Sequence, residues 1–323
     1  MKRITAMASK NSDLSKQDGT IGDLSLIDVL LKDRTTKRNI IWATDDYNIF
    51  GAFYCAENEI TADSIRTNAH RIIQPRVAKS LQSKTKRAKG KAEVFTPSWV
   101  CNAQNNLVDN DWLDAKSPFN REKHKSWETN FEKVLFKIEK EDIWQNYVDA
   151  PRLEAACGEA PYLVSRYDPV TGDFIPLQER IGLLDRKLRI VNENTQNKAE
   201  WIKWASRAFQ SVYGFEFQGD SLFIARENLL YTFIDNYEFI FNETPATEAL
   251  LHIANIISWN IWQMDGLKFT VPYSSIAKSI HQQLSFFQER GRKETYCVVK
   301  DWKAARWKKK SIVEFRSLVN EEV

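Results

Sequence analysis

The chain has 323 residues, of which 43% are hydrophobic and 28% are charged, so it is long enough to bury a sizeable core. Its formal net charge of +3 is too small to indicate a nucleic-acid partner by itself. Only the distribution of charge along the chain is therefore informative.

Cysteine usage and hydropathy predict a cytoplasmic protein. The four cysteines lie far apart and form no C-x-x-C pair, which argues against a zinc site and for reduced thiols. No apolar run approaches the ~20 residues that cross a bilayer, and the segment through Ser25 is too polar for a signal peptide. We therefore expect a cytoplasmic location, with no metal and no membrane partner.

The N-terminal region is mixed in character. Residues 1–20 are rich in Ser, Lys and Asp without periodicity, which predicts a mobile tail. Apolar positions then recur at helical spacing over residues 21–31, and a strand-like run follows at residues 39–43. We predict an N-terminal region over residues 21–91, followed by one larger domain over residues 92–323.

A run of positive charge ends this N-terminal region. Residues 66–91, here called the basic arm, hold nine Lys or Arg residues and no acid. Such a segment could follow a phosphate backbone by releasing counterions, without reading sequence. The alternative is a solvated helix face or a flexible connector. The cations that we assign to DNA contact are Arg76, Lys79, Lys84, Lys86, Arg87, Lys89 and Lys91.

The tripeptide Phe95, Thr96, Pro97 follows the basic arm. Thr-Pro ahead of a fresh apolar segment predicts a helix with Thr96 as its cap and Pro97 at its first position.

Residues 153–163 read as a strand, a turn at Gly158 and a helix, which is how a ligand-binding turn of an open α/β sheet is built. The missing Cβ of Gly158 would let the backbone approach a ligand, and the amides of the following helix would face a polar group on it. An ordinary strand-turn-helix is the alternative. Polar, amphipathic pieces at residues 125–140 and 142–147 would cover the sheet.

The next segment carries an acid at the end of a strand. Helical spacing predicts helices over residues 181–189 and 200–212, then a strand over 212–217 and a helix over 219–233. Glu216 at the end of this second strand is placed where such folds accept hydrogen bonds from ribose hydroxyls. Without its context, Glu216 would be read as a solvated strand-end acid.

The C-terminal third is less regular. Residues 247–267 predict a helix that runs into a strand, followed by Asp265, whose alternative reading is a turn acid. Residues 296–299 predict a further strand that leads to Asp301 and Trp302.

Together these segments resemble the amino-methylating DNA methyltransferases. Residues 156–158 spell the Ala-Cys-Gly of the family's first cofactor motif, and Phe-Thr-Pro precedes it as in adenine methyltransferases of type I restriction systems. Residues 213–216 and 225–230 match the Tyr-Gly-x-Glu and Ala-x-x-Asn-Leu-Leu of that family. The resemblance covers roughly residues 93–267 and is closest to small stand-alone restriction M subunits.

The resemblance implies an α/β fold of the class I methyltransferase type, with a Rossmann-like sheet and helices on both faces. It also implies binding of S-adenosylmethionine. The residues that match the cofactor motifs are Phe95, Thr96, Pro97, Glu154, Ala156, Cys157, Gly158, Glu216 and Asp265.

The chain departs from the family at several positions. Glu159 stands for Ser and Ala160 for the second Gly of the first motif, and the Asn-Pro-Pro-Tyr that holds the target amine is missing. Asp301 could accept the amine and Trp302 could stack on the flipped base, in which case they would be catalytic. The alternative is a strand-end acid beside a core tryptophan.

The resemblance implies DNA adenine-N6 methylation within a restriction-modification system. Double-stranded DNA is the expected partner, together with a specificity or nuclease subunit. The alternatives are a catalytically degenerate subunit that binds cofactor or DNA, a restriction nuclease component, and a structural interaction protein.

Overall fold

A computed structural model describes residues 24–65, 72–91, 94–136, 143–274 and 294–319, so the predicted tail over residues 1–20 lies outside the described residues. The chain is a mixed α/β protein. Its helices are α1 (Leu24–Leu31), α2 (Ala62–Ile65), α3 (Leu81–Lys91), α4 (Ser98–Leu113), α5 (Ile143–Asp149), α6 (Leu183–Asn194), α7 (Lys198–Gln210), α8 (Gly219–Phe241), α9 (Thr247–Asn260), α10 (Trp302–Arg306) and α11 (Phe315–Val319). Its strands are β1 (Asn120–Lys123), β2 (Ser126–Thr129), β3 (Arg152–Glu154), β4 (Val212–Glu216), β5 (Ile261–Gln263), β6 (Val298–Lys300) and β7 (Ile312–Glu314).

A parallel sheet of three strands, in the order β3-β4-β5, lies at the centre. Parallel neighbours need long crossovers. Here α6 and α7 connect β3 to β4, and α8 and α9 connect β4 to β5. The carboxyl ends of the three strands therefore meet at one edge of the sheet, which is where open α/β sheets bind ligands.

Within the described residues the parallel sheet has three strands, and the larger Rossmann-like sheet that the resemblance implies is not formed. The pairs β1–β2 and β6–β7 form two separate antiparallel sheets. The strands are three to five residues long, so helices supply most of the buried surface.

Helix α8 is the central element of the core. It is buried on almost every side over its 23 residues, which fits its apolar sequence. The ring of Phe233 on α8 packs against Trp201 and Phe209 of α7, with ring centroids 5.6 and 6.0 Å away. Burying rings of this size supplies much of the hydrophobic free energy of a core.

The N-terminal segment is joined to the sheet by a side chain instead of a strand. Residues 39–43 form only isolated bridges, from Asn39 to Lys32 and from Ile41 to Glu59, so the predicted strand is wrong. The amide of Gln263 pairs with the backbone N–H and C=O of Ile41, both at 2.9 Å. It supplies the two hydrogen bonds that a neighbouring strand would have made.

Arg226 ties the same N-terminal segment to α8. Its buried guanidinium donates to the backbone carbonyls of Leu30, Lys32, Ser258 and Ile261. Burial lowers the pKa of Arg226 to about 9. The four carbonyls supply the acceptors that water would otherwise provide.

Helix starts differ from the prediction at two positions. The segment after Gly158 is a single turn, and the next helix begins only at Leu183. Thr96 does not cap α4. The carboxylate of Asp168 accepts the N–H of Ser98 at 2.8 Å instead, from 70 residues further along the chain.

The two predicted amphipathic pieces, at residues 125–140 and 142–147, include a hairpin strand and a helix. Residues Ser126–Thr129 form β2 of a hairpin, and a helix is present only over Ile143–Asp149. Residues 137–142 lie outside the described residues.

Over the part of the chain that the structure covers, no helix combines the length and the apolar character that crossing a membrane requires.

Candidate functional site

A cleft of about 1060 Å³ lies at the carboxyl edge of the parallel sheet and is here called the carboxyl-edge cleft. Its volume is of the size that encloses a cofactor. It brings together segments that are far apart in the chain: the loop before α4, the turn after β3, and the end of β4. The predicted cofactor residues that line it are Phe95, Thr96, Glu154, Ala156, Cys157, Gly158 and Glu216.

Glu216 lies at the floor of the carboxyl-edge cleft and is 9% exposed. Its Oε2 accepts the N–H of Gly158 at 2.9 Å, and its Oε1 accepts those of Phe217 and Gln218 at 2.9 and 3.0 Å. Burial raises the pKa of Glu216, and the three amides act in the opposite direction. A carboxylate has about four acceptor sites, so one remains for a ligand hydroxyl.

Glu154 supports the turn after β3. Its two oxygens accept the N–H groups of Tyr162 and Leu163 at 3.3 and 3.1 Å. The sequence predicts that the amides after Gly158 face a ligand. Because these two amides donate to Glu154, they are already satisfied within the protein. Burial, with a smaller contribution from the nearby Glu216 carboxylate, raises the pKa of Glu154 to about 8 against the two amide hydrogen bonds.

Gly158 and Phe95 form one wall. Gly158 has φ +55°, and a Cβ added there would lie 3.4 Å from Cζ of the Phe95 ring. Ala156 also has a positive φ, of 48°. The backbone N–H of Cys157 donates to Phe215 O at 2.8 Å, which attaches the turn to β4. Burial raises the pKa of the Cys157 thiol far above its usual range, so this thiol is not a nucleophile at neutral pH.

Two of the predicted cofactor residues do not line the cleft. Pro97 forms the N-terminal boundary of α4. Oδ1 of Asp265 accepts the N–H groups of Leu267 and Lys268 at 3.0 and 3.2 Å, so this side chain stabilises a turn. Its neighbours Met264 and Gly266 do line the cleft. The assignment of Asp265 as a direct cofactor contact is therefore corrected to a turn acid.

Several lining residues were missed by the sequence reasoning. The rings of Phe217 and Tyr273 lie 5.9 Å apart, and Leu267 beside them is 94% exposed, so they form an apolar rim. Thr44 and Asp45 reach the cleft from the N-terminal segment. No local sequence pattern indicates where these two residues lie in space. The other missed residues that line the cleft include Gln104, Asn105, Val108, Gln218 and Ser221.

Two cations of the basic arm, Lys79 and Arg87, form buried ion pairs within the protein. Arg87 is 1% exposed and binds the carboxylates of Asp46 and Asp220, at 2.7 and 3.0 Å. Lys79 Nζ lies 2.8 Å from the same Asp220. These cations lower the pKa of Asp220 well below its usual range, although its burial acts in the opposite direction. Lys79 and Arg87 are therefore structural ions and do not face DNA.

Other members of the basic arm are placed differently. The Arg76 guanidinium stacks 4.8 Å from the Phe95 ring centre, and its backbone N–H donates to Glu159. Lys84 Nζ donates to Val77 O at 2.9 Å, and Lys89 is exposed. The side chains of Lys86 and Lys91, and all of residues 66–71, lie outside the described residues.

Glu159, which departs from the family motif, has a structural role. Its Oε1 accepts the N–H of Arg76 at 2.6 Å, and its Oε2 accepts the hydroxyl of Tyr167 at 2.6 Å. Asn228 donates to the backbone carbonyl of the same residue at 3.1 Å. Glu159 thus joins the basic arm to the turn beside the carboxyl-edge cleft.

The predicted catalytic pair lies at the other end of the sheet. Asp301 caps α10 by accepting the N–H of Ala304 at 2.9 Å, and the Trp302 indole donates to Asn260 at 2.7 Å. Both line a second cleft, here called the amino-edge cleft, which contains the starts of β3 and β4. They line a different cleft from Thr96, Gly158 and Glu216, so the structure does not bring them together with the predicted cofactor residues.

Comparison of the chain with protein-family models, with curated proteins and with solved structures finds no match.

Proposed function

We propose that the carboxyl-edge cleft binds S-adenosylmethionine. One observation carries this proposal: Thr96, Gly158 and Glu216, which come from three separate segments, line one cleft at the carboxyl edge of a parallel sheet. The sequence resemblance required this convergence, and nothing in the local sequence of any one segment requires it. The strand order β3-β4-β5 also agrees with one half of a Rossmann-like sheet.

The lining chemistry fits the cofactor. The remaining acceptor site of Glu216 would take a ribose hydroxyl, and the apolar rim of Phe217, Leu267 and Tyr273 would hold the adenine ring. The missing Cβ of Gly158 lets the Phe95 ring pack against the turn, and this ring would contact the sulfonium end of the cofactor. The cofactor would supply the methyl group, and this chain would orient it and exclude water.

The reaction that the resemblance favours is methyl transfer to the N6 amine of adenine in double-stranded DNA. The setting would be a cytoplasmic restriction-modification system, with a specificity or nuclease subunit as partner. Exposed cations of the basic arm such as Lys89 would then contact phosphates.

A catalytically degenerate cofactor-binding subunit is the second candidate. The observation that favours it is that Asp301 and Trp302 line the amino-edge cleft and not the carboxyl-edge cleft. An assay for transfer of labelled methyl groups to unmethylated bacterial DNA separates the two candidates. Incorporated label supports the enzyme, and cofactor binding without incorporation supports the degenerate subunit.

The proposed cofactor site is tested by filling the cleft. Ala155 is exposed and lines the carboxyl-edge cleft, so Ala155→Phe should block the ligand without burying a clash in the core. We expect calorimetry to detect S-adenosylmethionine binding to the wild-type chain, and a loss of at least tenfold in affinity for the variant, since tenfold corresponds to about 1.4 kcal/mol.

The matched control is Ala246→Phe, because Ala246 is also exposed but lies at the start of α9, outside the cleft. Both variants should unfold at the wild-type temperature. Equal cofactor affinity in Ala155→Phe and the wild-type chain would contradict the site, and no binding to the wild-type chain would contradict the proposed function.

A further inference from the structure

The amino-edge cleft is the second large concavity in the described residues, with a volume of about 1160 Å³. It is formed where β3 and β4 begin, by the loop after α5 and by the C-terminal segment from β6 to α11. Aromatic rings of Tyr213, Trp262 and Phe315 form its floor. Two residues from the segments that resemble cofactor motifs reach this cleft: Tyr213, and Leu153, which lines both clefts.

The charge of this cleft is strongly positive. Two of its lining residues are acids, Asp149 and Asp301, and both are engaged: Asp149 accepts from Arg207, and Asp301 caps α10. The five cations that line it are Arg152, Arg207, Lys300, Lys303 and Arg306.

The two acids that line the cleft do not balance its five cations. Arg152 lines the cleft, and its Nη2 has no hydrogen-bond partner among the described residues although it is shielded from solvent. Burial lowers the pKa of Arg207, and the nearby positive charge of Arg306 lowers it further. Like charges held together in this way are stabilised by an anionic ligand.

The positive charge continues out of the cleft onto the surface. Residues 300–310 contain six Lys or Arg residues and one acid. Lys303 and residues 308–310 are exposed, and within the described ranges no carboxylate forms an ion pair with them. This contrasts with the basic arm, where Lys79 and Arg87 are neutralised internally.

An aromatic ring lies within this charged surface. Trp307 is 72% exposed and lines the amino-edge cleft between Arg306 and the lysines at residues 308–310. In the part of the chain that the structure covers, its ring forms no contact with another ring or with a cation. An exposed indole followed in the chain by exposed lysines is the combination that stacks a base while holding its phosphates.

We propose that the amino-edge cleft and the surface of residues 300–310 bind single-stranded nucleic acid, with Trp307 stacking on a base and the surrounding lysines contacting phosphates. Stacking requires unpaired bases, so a single strand fits better than a duplex. An acidic peptide would match the charge but would leave the indole without a partner. The proposal is independent of cofactor binding in the carboxyl-edge cleft.

The test measures fluorescence anisotropy of a labelled oligothymidylate of about 15 nucleotides with the full chain. We expect Trp307→Ala to weaken binding by on the order of tenfold to a hundredfold, the usual effect of removing one stacked base contact. The matched control is Phe131→Ala, which removes a ring that is 66% exposed but lies outside the cleft, and it should bind as the wild-type chain does.

A second variant tests the phosphate contacts. Lys309→Gln/Lys310→Gln should reduce the log-log salt slope of oligothymidylate binding by about 1.4, because each phosphate contact to a single strand contributes about 0.7. The charge-matched control, Lys116→Gln/Lys133→Gln, removes two exposed lysines elsewhere and should leave the slope unchanged. An oligouridylate measured in parallel distinguishes RNA from DNA as the preferred strand.

Three results would overturn the proposal: wild-type affinity in Trp307→Ala, displacement of the oligonucleotide by polyglutamate as effectively as by unlabelled strand, or tighter binding of a duplex. The first would exclude stacking, the second would indicate an acidic peptide, and the third would indicate simple charge attraction. Ala155→Phe should retain oligothymidylate binding, and Trp307→Ala should retain binding of S-adenosylmethionine, so the two proposals fail separately.

Discussion

The two clefts at opposite edges of the parallel sheet use charge in opposite ways. Around the carboxyl-edge cleft, ionised groups are buried and paired: Asp220 holds Lys79 and Arg87, and the Glu216 carboxylate accepts three backbone amides. Around the amino-edge cleft, the charged side chains of residues 303–310 are largely exposed. The first arrangement positions a loop, and the second leaves charge available to a partner.

This difference shows that a run of like charges in a sequence does not determine its own role. Residues 66–91 contain more cations than residues 300–310, yet the structure pairs Lys79 and Arg87 of the first run with buried acids. Whether a cation forms an ion pair depends on acids that lie elsewhere in the chain. We therefore expect substitutions near the carboxyl-edge cleft to change stability, and those near the amino-edge cleft to change binding.

The largest expected effect is at Asp220. Asp220→Asn removes the buried carboxylate that Lys79 and Arg87 share, although Asp46 still pairs with Arg87. Breaking a buried ion pair from one side costs about 3–5 kcal/mol. Urea unfolding should show a loss of this size. The control Glu128→Gln breaks the exposed pair with Lys123 and should leave the midpoint unchanged. Equal midpoints for both variants would contradict the structural role of the basic arm.

A smaller effect concerns Glu154 and pH. Burial raises its folded-state pKa to about 8 from an ordinary value of 4.5, so between these values the folded chain holds a proton that the unfolded chain has released. The free energy of unfolding should therefore fall as the pH rises through this window, by up to ~1.4 kcal/mol per pH unit. Below the window both states are protonated, and above it both are ionised.

Glu154→Gln cannot titrate, so its free energy of unfolding should depend less on pH between about pH 5 and pH 8. Denaturant titrations of the wild-type chain and the variant across this range provide the measurement. Glu128→Gln is again the control and should keep the wild-type slope, because Glu128 is exposed. An unchanged slope in Glu154→Gln would mean that this carboxyl is ionised throughout.

The smallest effect is expected at Lys89, an exposed cation of α3. Lys89→Gln should leave the unfolding midpoint unchanged. If duplex DNA binds along this helix, the variant should reduce the magnitude of the log-log salt slope of duplex binding by about 0.9, the contribution of one phosphate contact. The exposed Lys116→Gln is the control. A salt slope equal to that of the control would remove Lys89 from the predicted DNA surface.

Much of the helical framework could be predicted because it depends on local spacing. The apolar period predicts α1 and α6 to α9, and the strand with Glu216 at its end is β4. The turn at Gly158 was also predictable, since a left-handed backbone there requires glycine. These features need only neighbours within a few residues.

The remaining features depend on contacts between distant residues. Lys79 meets Asp220 across 141 residues, and the amide of Gln263 replaces a strand for Ile41 across 222 residues. No periodicity encodes such pairs. For the same reason the sequence could not show that the amides after Gly158 are already bound by Glu154, or that Asp301 lies at the opposite edge from Glu216.

The contacts of Arg226 affect the order in which the nascent chain can fold on the ribosome. The carbonyls of Leu30 and Lys32 are synthesised early. Arg226, whose guanidinium donates hydrogen bonds to them, is added 196 residues after Leu30. Until then α1 cannot pack against α8, so it remains without its native contacts. Synthesis at about 5–20 residues per second makes this delay on the order of ten seconds or more. Chaperones would meet the nascent chain during that interval, and truncation ahead of Ser98 would leave Arg226 buried without two of its acceptors.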